Sequence, residues 1–544
     1  MVDALARVAA SAFAEVVLVT TSAREAGSKA PLLWRAYCRA DRALFGSGPD
    51  WSGARDVNLI VPRHRRLVRD EPGAWHAIAR DAQLDVAFVM GDVNQDEAAA
   101  YARFGAWNFF FGESQGASEA LAGLEEVLGA SPVTASGLRI HLGRGRPDRI
   151  AYQSWARTFP FSFAKSRDAL FAKTAQFLAR ALRELHIDGE QWLARQAEAS
   201  RPRKDERLPS TIESIRNISL LGARVAQRAA QKALTVEEWS IAFRFADDES
   251  WNGSLDGFVR LDPPRGGFWA DPFPLQRDGR SYIFFEELPA DSSKAHISVI
   301  EVNRDGSTSA PVKVLERDYH LSYPFLVEEG GELYMIPETA SNRTVEVYRC
   351  VDFPTKWKLE RVLLKDVMCA DATLHREGER WFMFANQAHP GADVNDELCI
   401  FTSERLLGDW EPHPRNPVKS DVRSARPAGR LFWSGSRLYR PGQIGAPHYG
   451  AGIALHRVTR LTGDEYLEEE DRRIVPAGNV DPGQARSDAV LGLHTINRAG
   501  DLSVTDAFFR RARFGAAQRE MDSGPRLEDS RGRLRRNDRT GAAA

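Results

Sequence analysis

Five segments of this chain can be set under one another: WADPFPLQRDGRSYIFFEE (269–287), LSYPFLVEEGGELYMIPET (321–339), CADATLHREGERWFMFANQ (369–387), ARPAGRLFWSGSRLYRPGQ (425–443) and GLHTINRAGDLSVTDAFFR (492–510). Each opens a strand on a small or polar residue, runs on as an apolar strand and turns at a glycine. It then returns as a second apolar or aromatic strand that ends in polar groups. Gly279, Gly331, Gly378, Gly435 and Gly500 stand in the turns, where a positive φ costs glycine little. The repeat is roughly 50 residues long, the length of one four-stranded blade of a β-propeller.

Two more strands follow in each unit. HISVIEVN (296–303), TVEVYRCV (344–351), ELCIFTSE (397–404) and GIALHRVT (452–459) alternate as strands do, while FPTKWKLERVLL (353–364) and LLGDWEPHP (406–414) supply outer strands. Trp357 and Trp410 are expected between blades. The last repeat has no such strands after it, but WSIAFRF (239–245) has strand character before the first. Joining that segment to the last blade closes the ring and removes its exposed edges. A β-sandwich with accidental self-similarity is the alternative, and alignment of five segments over their whole length weighs against it. Residues 236–514 are therefore predicted to form an all-β, five-bladed propeller.

In a propeller the innermost strand of each blade starts at the central channel, so residues at that position converge. Asp271, Tyr323, Asp371 and the stretch from Arg426 to Arg430 occupy it. The returning strand brings Glu286, Glu338, Asn386 and Gln443 to the same place. Asp271 to Glu286, Tyr323 to Glu338 and Asp371 to Asn386 are equally separated, which fixes the register. Carboxylates of this kind bind sugar hydroxyls and are also the acids, bases and nucleophiles of glycosyl chemistry. Asp271, Glu338 and Asp371 are the candidate catalytic residues. Trp269, Glu286, Tyr323, Asn386, Arg426, Arg430, Gln443, His494 and Asn497 are candidate substrate contacts. Capping of a turn by Asp271 is the competing structural explanation, and Glu286 and Glu287 cannot both face inward from one strand.

The rest of the chain has a different character. Up to about residue 195, apolar runs such as AEVVLVTTS (14–22) and LDVAFVMG (84–91) alternate with helical stretches at 73–82, 95–104 and 118–129. This predicts an α/β domain on a parallel sheet, closed by a long amphipathic helix over 166–185. Residues 196–235 read as a connector: a charged, exposed segment followed by one helix over 211–234, whose basic residues form a solvated face. Peripheral membrane contact through that face is the minor alternative. The residues from 515 onward hold almost no large apolar side chains and are expected to be disordered.

The chain has 544 residues and a formal charge of −2, so nothing in bulk charge draws it to nucleic acid. No apolar run approaches the roughly 20 residues of a membrane span. Four scattered cysteines lack metal-ligand spacing, which predicts free thiols, no metal and a cytoplasmic location.

The motifs WADPF, HLSYPF…YMIPE, FPTKWKLE, LLGDWEPH, RLYRPGQ and LHTIN resemble the N-terminal propeller of glucosamine inositolphosphorylceramide transferases, across essentially all of 239–510. In that family a separate glycosyltransferase domain follows, so the resemblance speaks only for the propeller. The fold it implies is similar to that of arabinanase- and levansucrase-type glycosidases, whose aspartates at the blade starts resemble Asp271 and Asp371. Those enzymes take a general acid from a Glu on the fourth blade, where this chain has Arg426, Arg430 and Gln443.

FVMGDVNQDEAAAYARFGAWNFFFGE (88–113) resembles the N-terminal domain of formyltransferases that use formyl-tetrahydrofolate. Asn108 matches the Asn of the family's Asn-x-His motif, and Phe110 replaces the His. HLGRGRPDRIAYQ (141–153) stands where the family's Asp would be, with Asp148 as the nearest carboxylate. The resemblance thus implies an inactive relative, with formyl-tetrahydrofolate as cofactor only if the domain is active. An opening helix in MVDALARVAASAF suggests that the domain lacks its first strand and that the true start lies upstream.

Three functions follow: a propeller that binds or processes a sugar, sugar nucleotide or glycolipid head group; a formyltransferase with the propeller as its substrate module; or a non-enzymatic scaffold.

Overall fold

The structure, a computed structural model, describes residues 2–21, 30–46, 65–68, 74–90, 94–113, 119–199, 207–246, 253–388, 393–476 and 489–513. The tail expected to be disordered lies outside the described residues.

Each of the five repeats folds as the first two strands of an antiparallel sheet. The first sheet runs Phe268–Arg277, Arg280–Leu288, His296–Val302 and Val312–Leu315. The second runs Ser322–Glu329, Glu332–Thr339, Thr344–Asp352 and Lys356–Lys365. The third is Cys369–Glu377, Arg380–Gln387 and Glu397–Ser403, its outer position shared by the short strands Glu411–Pro412 and Lys419–Ser420. The fourth is Phe432–Ser434, Arg437–Ile444, Gly452–Leu461 and Tyr466–Ile474.

The fifth sheet closes the ring. Ile496–Ala499 and Leu502–Ala512 form its inner hairpin, and Thr235–Phe245 pairs with the second of these along its whole length, from Leu502 opposite Phe245 to Ala512 opposite Thr235. Val259–Leu261 lies outermost. Every sheet is hydrogen-bonded to its neighbour near the centre. The Tyr323 N–H donates to Asp271, the Asp371 N–H to Glu338, Arg426 to Asp371, the Ile496 N–H to the Ala428 carbonyl, and Asn497 to the Pro272 carbonyl.

Apolar side chains fill the gaps between sheets. Phe284, Phe325, Met335, Tyr348, Met383 and Trp410 belong to one cluster spanning the first three sheets. Phe384 and Ile400 meet Leu431 and Leu438 between third and fourth, Ile453 and Leu455 meet Leu493 and Phe509 between fourth and fifth, and Phe243 and Val504 meet Ile283 and Phe285 at the closure. Trp357 sets its ring edge against Phe284 of the preceding sheet.

The N-terminal residues form a separate layer. Among them Ala87–Phe88 pairs in parallel with Ala106–Phe111, which pairs antiparallel with Val133–His141, itself antiparallel to Arg149–Arg157. The sheet is therefore mixed, which corrects the parallel sheet expected from sequence. A seven-residue connector, 142–148, is too short for the crossover that a parallel return requires. Leu18–Thr21 pairs in parallel with Arg65–Val68 instead. The helix expected over 166–185 is two, Phe163–Thr174 and Phe177–Asp188. Thr211–Leu234 is one helix, opened by a capping box between Ser210 and Glu213.

Asn108 and Phe110 sit on the central strand of this sheet, Phe110 fully buried and Asn108 nearly so. The Asn108 amide donates to the Phe109 carbonyl, and its oxygen has no hydrogen-bond partner among the described residues. Asp148 is paired with His141 at 2.8 Å. The four cysteines are free thiols, and no helix among the described residues is long and apolar enough to cross a membrane.

The layer is bolted to the ring by buried ion pairs. Arg180 grips Glu397 with two hydrogen bonds of 2.6 and 2.8 Å, and Lys173 lies 3.2 Å from Asp396. Trp155 accepts the Val422 N–H, and Trp155 and Val133 pack on Val422 and Ala446.

Candidate functional site

The centre of the ring is set by a backbone device repeated three times. Asp271, Tyr323 and Asp371 hold left-handed φ values of 51°, 46° and 54°, a conformation that costs a non-glycine residue on the order of 1–2 kcal/mol. At each, the pairing register of the hairpin slips: between Phe284 and Glu286, between Ser322 and Phe325, and between Ala370 and Thr373. These are β-bulges, which re-aim side chains at the inner end of a strand. They turn Asp271, Tyr323 and Asp371 toward the ring axis.

Tyr323 crosses that axis. It is fully buried, its hydroxyl 2.7 Å from Thr373 Oγ1 and accepting the Gly429 N–H at 2.8 Å. It therefore fills the centre of the ring and ties three sheets together there. Arg430, four residues beyond Arg426, lies farther along the ring: its guanidinium stacks on Phe325 and donates to the Leu326 carbonyl. Burial lowers its pKa to about 10. Asn497 accepts the Arg430 N–H and donates to the Pro272 carbonyl, so both ends of its amide are committed to joining sheets.

Two groups of charges form around it. In the first, Arg426 binds Asp371 with two nitrogens, at 2.5 and 3.0 Å, reaches Glu338 Oε2 at 3.3 Å and Asn395 Oδ1 at 3.0 Å. Gln443 adds a third hydrogen bond to Asp371, at 2.9 Å. Glu338 is the acid that opens to the mouth, 16% exposed against 1% for Asp371. Burial, then the neighbouring charge of Asp371, pushes its carboxyl well above the usual range despite Arg426. Asn386, at the matching position of the third sheet, is fully buried and donates to the Val394 carbonyl.

The second group is Asp271, His494 and Asp506. His494 Nε2 lies 3.0 Å from Asp271 and Nδ1 3.0 Å from Asp506. Thr495 donates to Asp271 at 2.6 Å, and Asp506 accepts the backbone N–H groups of His494, Thr495 and Asp271. Their ligand atoms lie within 4.8 Å of one another, a spacing that could hold a metal. The imidazole sits between the two carboxylates. Glu286 joins the edge of this group through His320, at 2.9 Å. The Ala295 N–H donates to His320 Nδ1, which leaves Nε2–H to donate to Glu286. Trp269 is nearly buried, its indole N–H 3.4 Å from Glu287 on the other face of the strand.

Burial pulls the His494 pKa down, but the charges of Asp506 and Asp271 outweigh it and push it up to about 10. A group whose folded-state pKa is raised stabilises the fold fully below its ordinary value and loses that contribution as pH rises through the folded one. Stability should therefore fall between about pH 6.5 and 10, by a few kcal/mol, in urea melts followed by tryptophan fluorescence. His494→Gln should flatten that slope, and an equally steep slope in the variant would remove His494 as its source.

Sequence reasoning passed over His320, Asn395, Tyr449 and Asp506. Tyr449 is half-buried beside both Arg426 and His494. His320 is the first residue of the HLSYPF stretch. Asp506 stands one residue past the partner of Ile496, whereas Glu286, Glu338 and Asn386 stand two past theirs, so alignment of the hairpins skips it.

The chain is thus a ring of five antiparallel sheets with an acid-lined centre, backed by a mixed α/β layer. Residues 263–480 match the family model for glucosamine inositolphosphorylceramide transferase 1, N-terminal, and this part of the chain is of that type. It is 36% identical over 206 residues to glucosamine inositolphosphorylceramide transferase 1 of Arabidopsis thaliana, covering 37% of this chain and 27% of that protein. It is 35% identical over 214 residues to the protein of that name from Oryza sativa subsp. japonica, covering 38% and 29%. The chain thus spans little more than a quarter of the length of these relatives. Among solved structures, Zg3597, a family 117 glycoside hydrolase from Zobellia galactanivorans, aligns at a TM-score of 0.33 with 11% identity, over 53% of this chain and 98% of that one. Glu338, Asp371, Arg426 and Tyr449 fall inside the matched segment; His494, Asp506 and the N-terminal layer fall outside it.

Proposed function

We propose that residues 236–514 form a five-bladed β-propeller that binds a sugar or glycolipid head group at the channel mouth, with Glu338 as its central contact. The observation that carries this reading is the placement of Glu338: an acid still partly open to solvent at the centre of the ring, beside a carboxylate whose charge Arg426 neutralises. Such a site offers the Glu338 carboxyl as a hydrogen-bonding group and His320 and Tyr449 as further polar and aromatic contacts, the mixture that sugar hydroxyls and ring faces require. The relatives' name, a glucosamine inositolphosphorylceramide transferase, supports a carbohydrate-bearing ligand.

Binding suits this geometry better than hydrolysis. Glycosidases need one free carboxylate as base or nucleophile opposite an acid, and Asp371 is tied by three hydrogen bonds to Arg426 and Gln443. Asp271 is committed to His494 and Thr495.

Titration of the full chain with glucosamine, N-acetylglucosamine, glucose and inositol, followed by calorimetry, tests the site. At least one should bind, and Glu338→Gln should weaken that binding roughly tenfold or more, as loss of a hydrogen bond in a buried site does, with the melting temperature unchanged. Equal affinity in the variant would overturn the assignment of Glu338.

A further inference from the structure

We infer that the N-terminal layer adds an anion subsite to this mouth, formed by Arg157, Lys165 and Arg228, that takes a phosphate group attached to the sugar. The inference rests on the sugar-binding reading of the mouth and extends it to a phosphorylated ligand.

The three cations come from three elements: Arg157 from the end of Arg149–Arg157, Lys165 from the first turn of Phe163–Thr174, and Arg228 from Thr211–Leu234. They gather on a pair of aromatic rings. Arg157 and Lys165 both lie over Phe159, at 4.8 and 4.7 Å from its centre, and Arg228 lies 4.5 Å over Phe161, whose ring is 6.1 Å from that of Phe159. Cation–π contact orients a charge without cancelling it. Among the described residues none of the three makes an ion pair with a carboxylate, and the Arg157 Nε is buried without a hydrogen-bond partner. Arg180, Lys173 and Arg42 of the same layer are by contrast each paired with an acid.

Bringing like charges together without an ion-paired acid costs free energy, and the cost shows at Lys165. Burial, then the charges of Arg157 and Arg228, hold its pKa below the ordinary value. An anion from solution would relieve that cost. Two guanidinium forks and an ammonium match the oxygens of a phosphate better than a single carboxylate.

The cluster also faces the right way. Trp155, two residues before Arg157 and on the same face of its strand, packs on Val422 and Ala446, and the charge of Arg157 reaches His448, which adjoins Tyr449. The charge of Asp393 reaches Lys165, and Asp393 holds Asn395, the partner of Arg426. The subsite therefore lies beside the sugar site, on the rim that the layer builds over the third and fourth sheets.

The test uses the full chain with inorganic phosphate, a hexose phosphate, the matching free hexose, and vesicles of phosphatidylcholine with or without phosphatidylinositol. The hexose phosphate should bind at least tenfold more tightly than the free hexose. The Arg157→Ala/Lys165→Ala pair should remove that advantage while leaving the free hexose unaffected. Arg228→Ala, at an exposed helical position, should reduce the advantage severalfold by itself. Binding to phosphatidylinositol vesicles but not to the soluble phosphates would assign the subsite to a lipid head group; binding to the soluble phosphates alone would assign it to a free sugar phosphate. Equal affinity for phosphorylated and free hexose in the wild type, with no binding to phosphatidylinositol vesicles, would overturn the inference, as would variants that keep the full phosphate advantage. Failure of Glu338→Gln to alter hexose binding would instead strike the sugar site and leave the phosphate comparison readable.

Discussion

Arg426→Ala is expected to destabilise the protein by about 3–5 kcal/mol, the cost of leaving a buried charge without its partner. Asp371 is sealed from solvent at the centre of the ring and depends on Arg426 for two of its three side-chain hydrogen bonds. Glu338 and Asn395 lose a partner in the same step. Three sheets meet at this guanidinium, so the loss acts on the ring as a whole. Adding Asp371→Asn should return a large part of the stability, because a neutral amide does not need the cation. Urea melts of the two single variants and the double variant measure the coupling directly. A single Arg426→Ala variant melting within about 0.5 kcal/mol of the wild type, the range of ordinary surface substitutions, would mean that the buried pair does not hold the centre.

Arg180→Ala should cost a similar 3–5 kcal/mol, but at the seam between layer and ring. Arg180 satisfies both oxygens of Glu397 and contacts the Tyr152 hydroxyl. Without it Glu397, which also accepts from the Ser420 hydroxyl, loses both of these hydrogen bonds, in a setting already strained for acids. Next to it, burial raises the carboxyl of Asp396 to about 7 despite Lys173. The expected result is separate melting of the two parts in calorimetry and faster proteolysis between them. A single transition at the wild-type temperature would show that the apolar contacts of Trp155 and Val133 suffice. Arg180→Met, which keeps the volume, separates lost charge from lost packing.

The ring was legible in the sequence because its unit is local. A hairpin with a glycine turn repeats the same residue classes at the same separations, and the equal intervals from Asp271 to Glu286, Tyr323 to Glu338 and Asp371 to Asn386 reflect three bulges at one structural position. Depth along the axis was not legible. Alternation says that Tyr323 and Arg430 point inward, not that one fills the centre of the ring and the other lies along its wall. Asp506 was hidden by a hairpin that lacks the bulge. In the N-terminal layer, Ala106–Phe111 is buried at all six positions, a pattern shared by the centre of a parallel sheet and the centre of a mixed one. Only the short return from His141 to Arg149 tells them apart. The cationic cluster could not be read in advance, because its members come from three elements brought together only by packing.

The seam of the ring carries a consequence for synthesis. Thr235–Phe245 is made before any of the five repeats, yet its partner, Leu502–Ala512, is made after all of them. While the ribosome works through the intervening sheets, this strand waits with one edge unpaired, on the chain side that already holds the N-terminal layer. Such an edge invites pairing with the wrong strand or with a second nascent chain. The four earlier sheets can each form from neighbouring residues, but the fifth must join the two ends of the region, the slowest kind of contact to find. Arrival of the last hairpin is thus the step that turns a row of sheets into a closed body, and it is where chaperone help or aggregation would be decided.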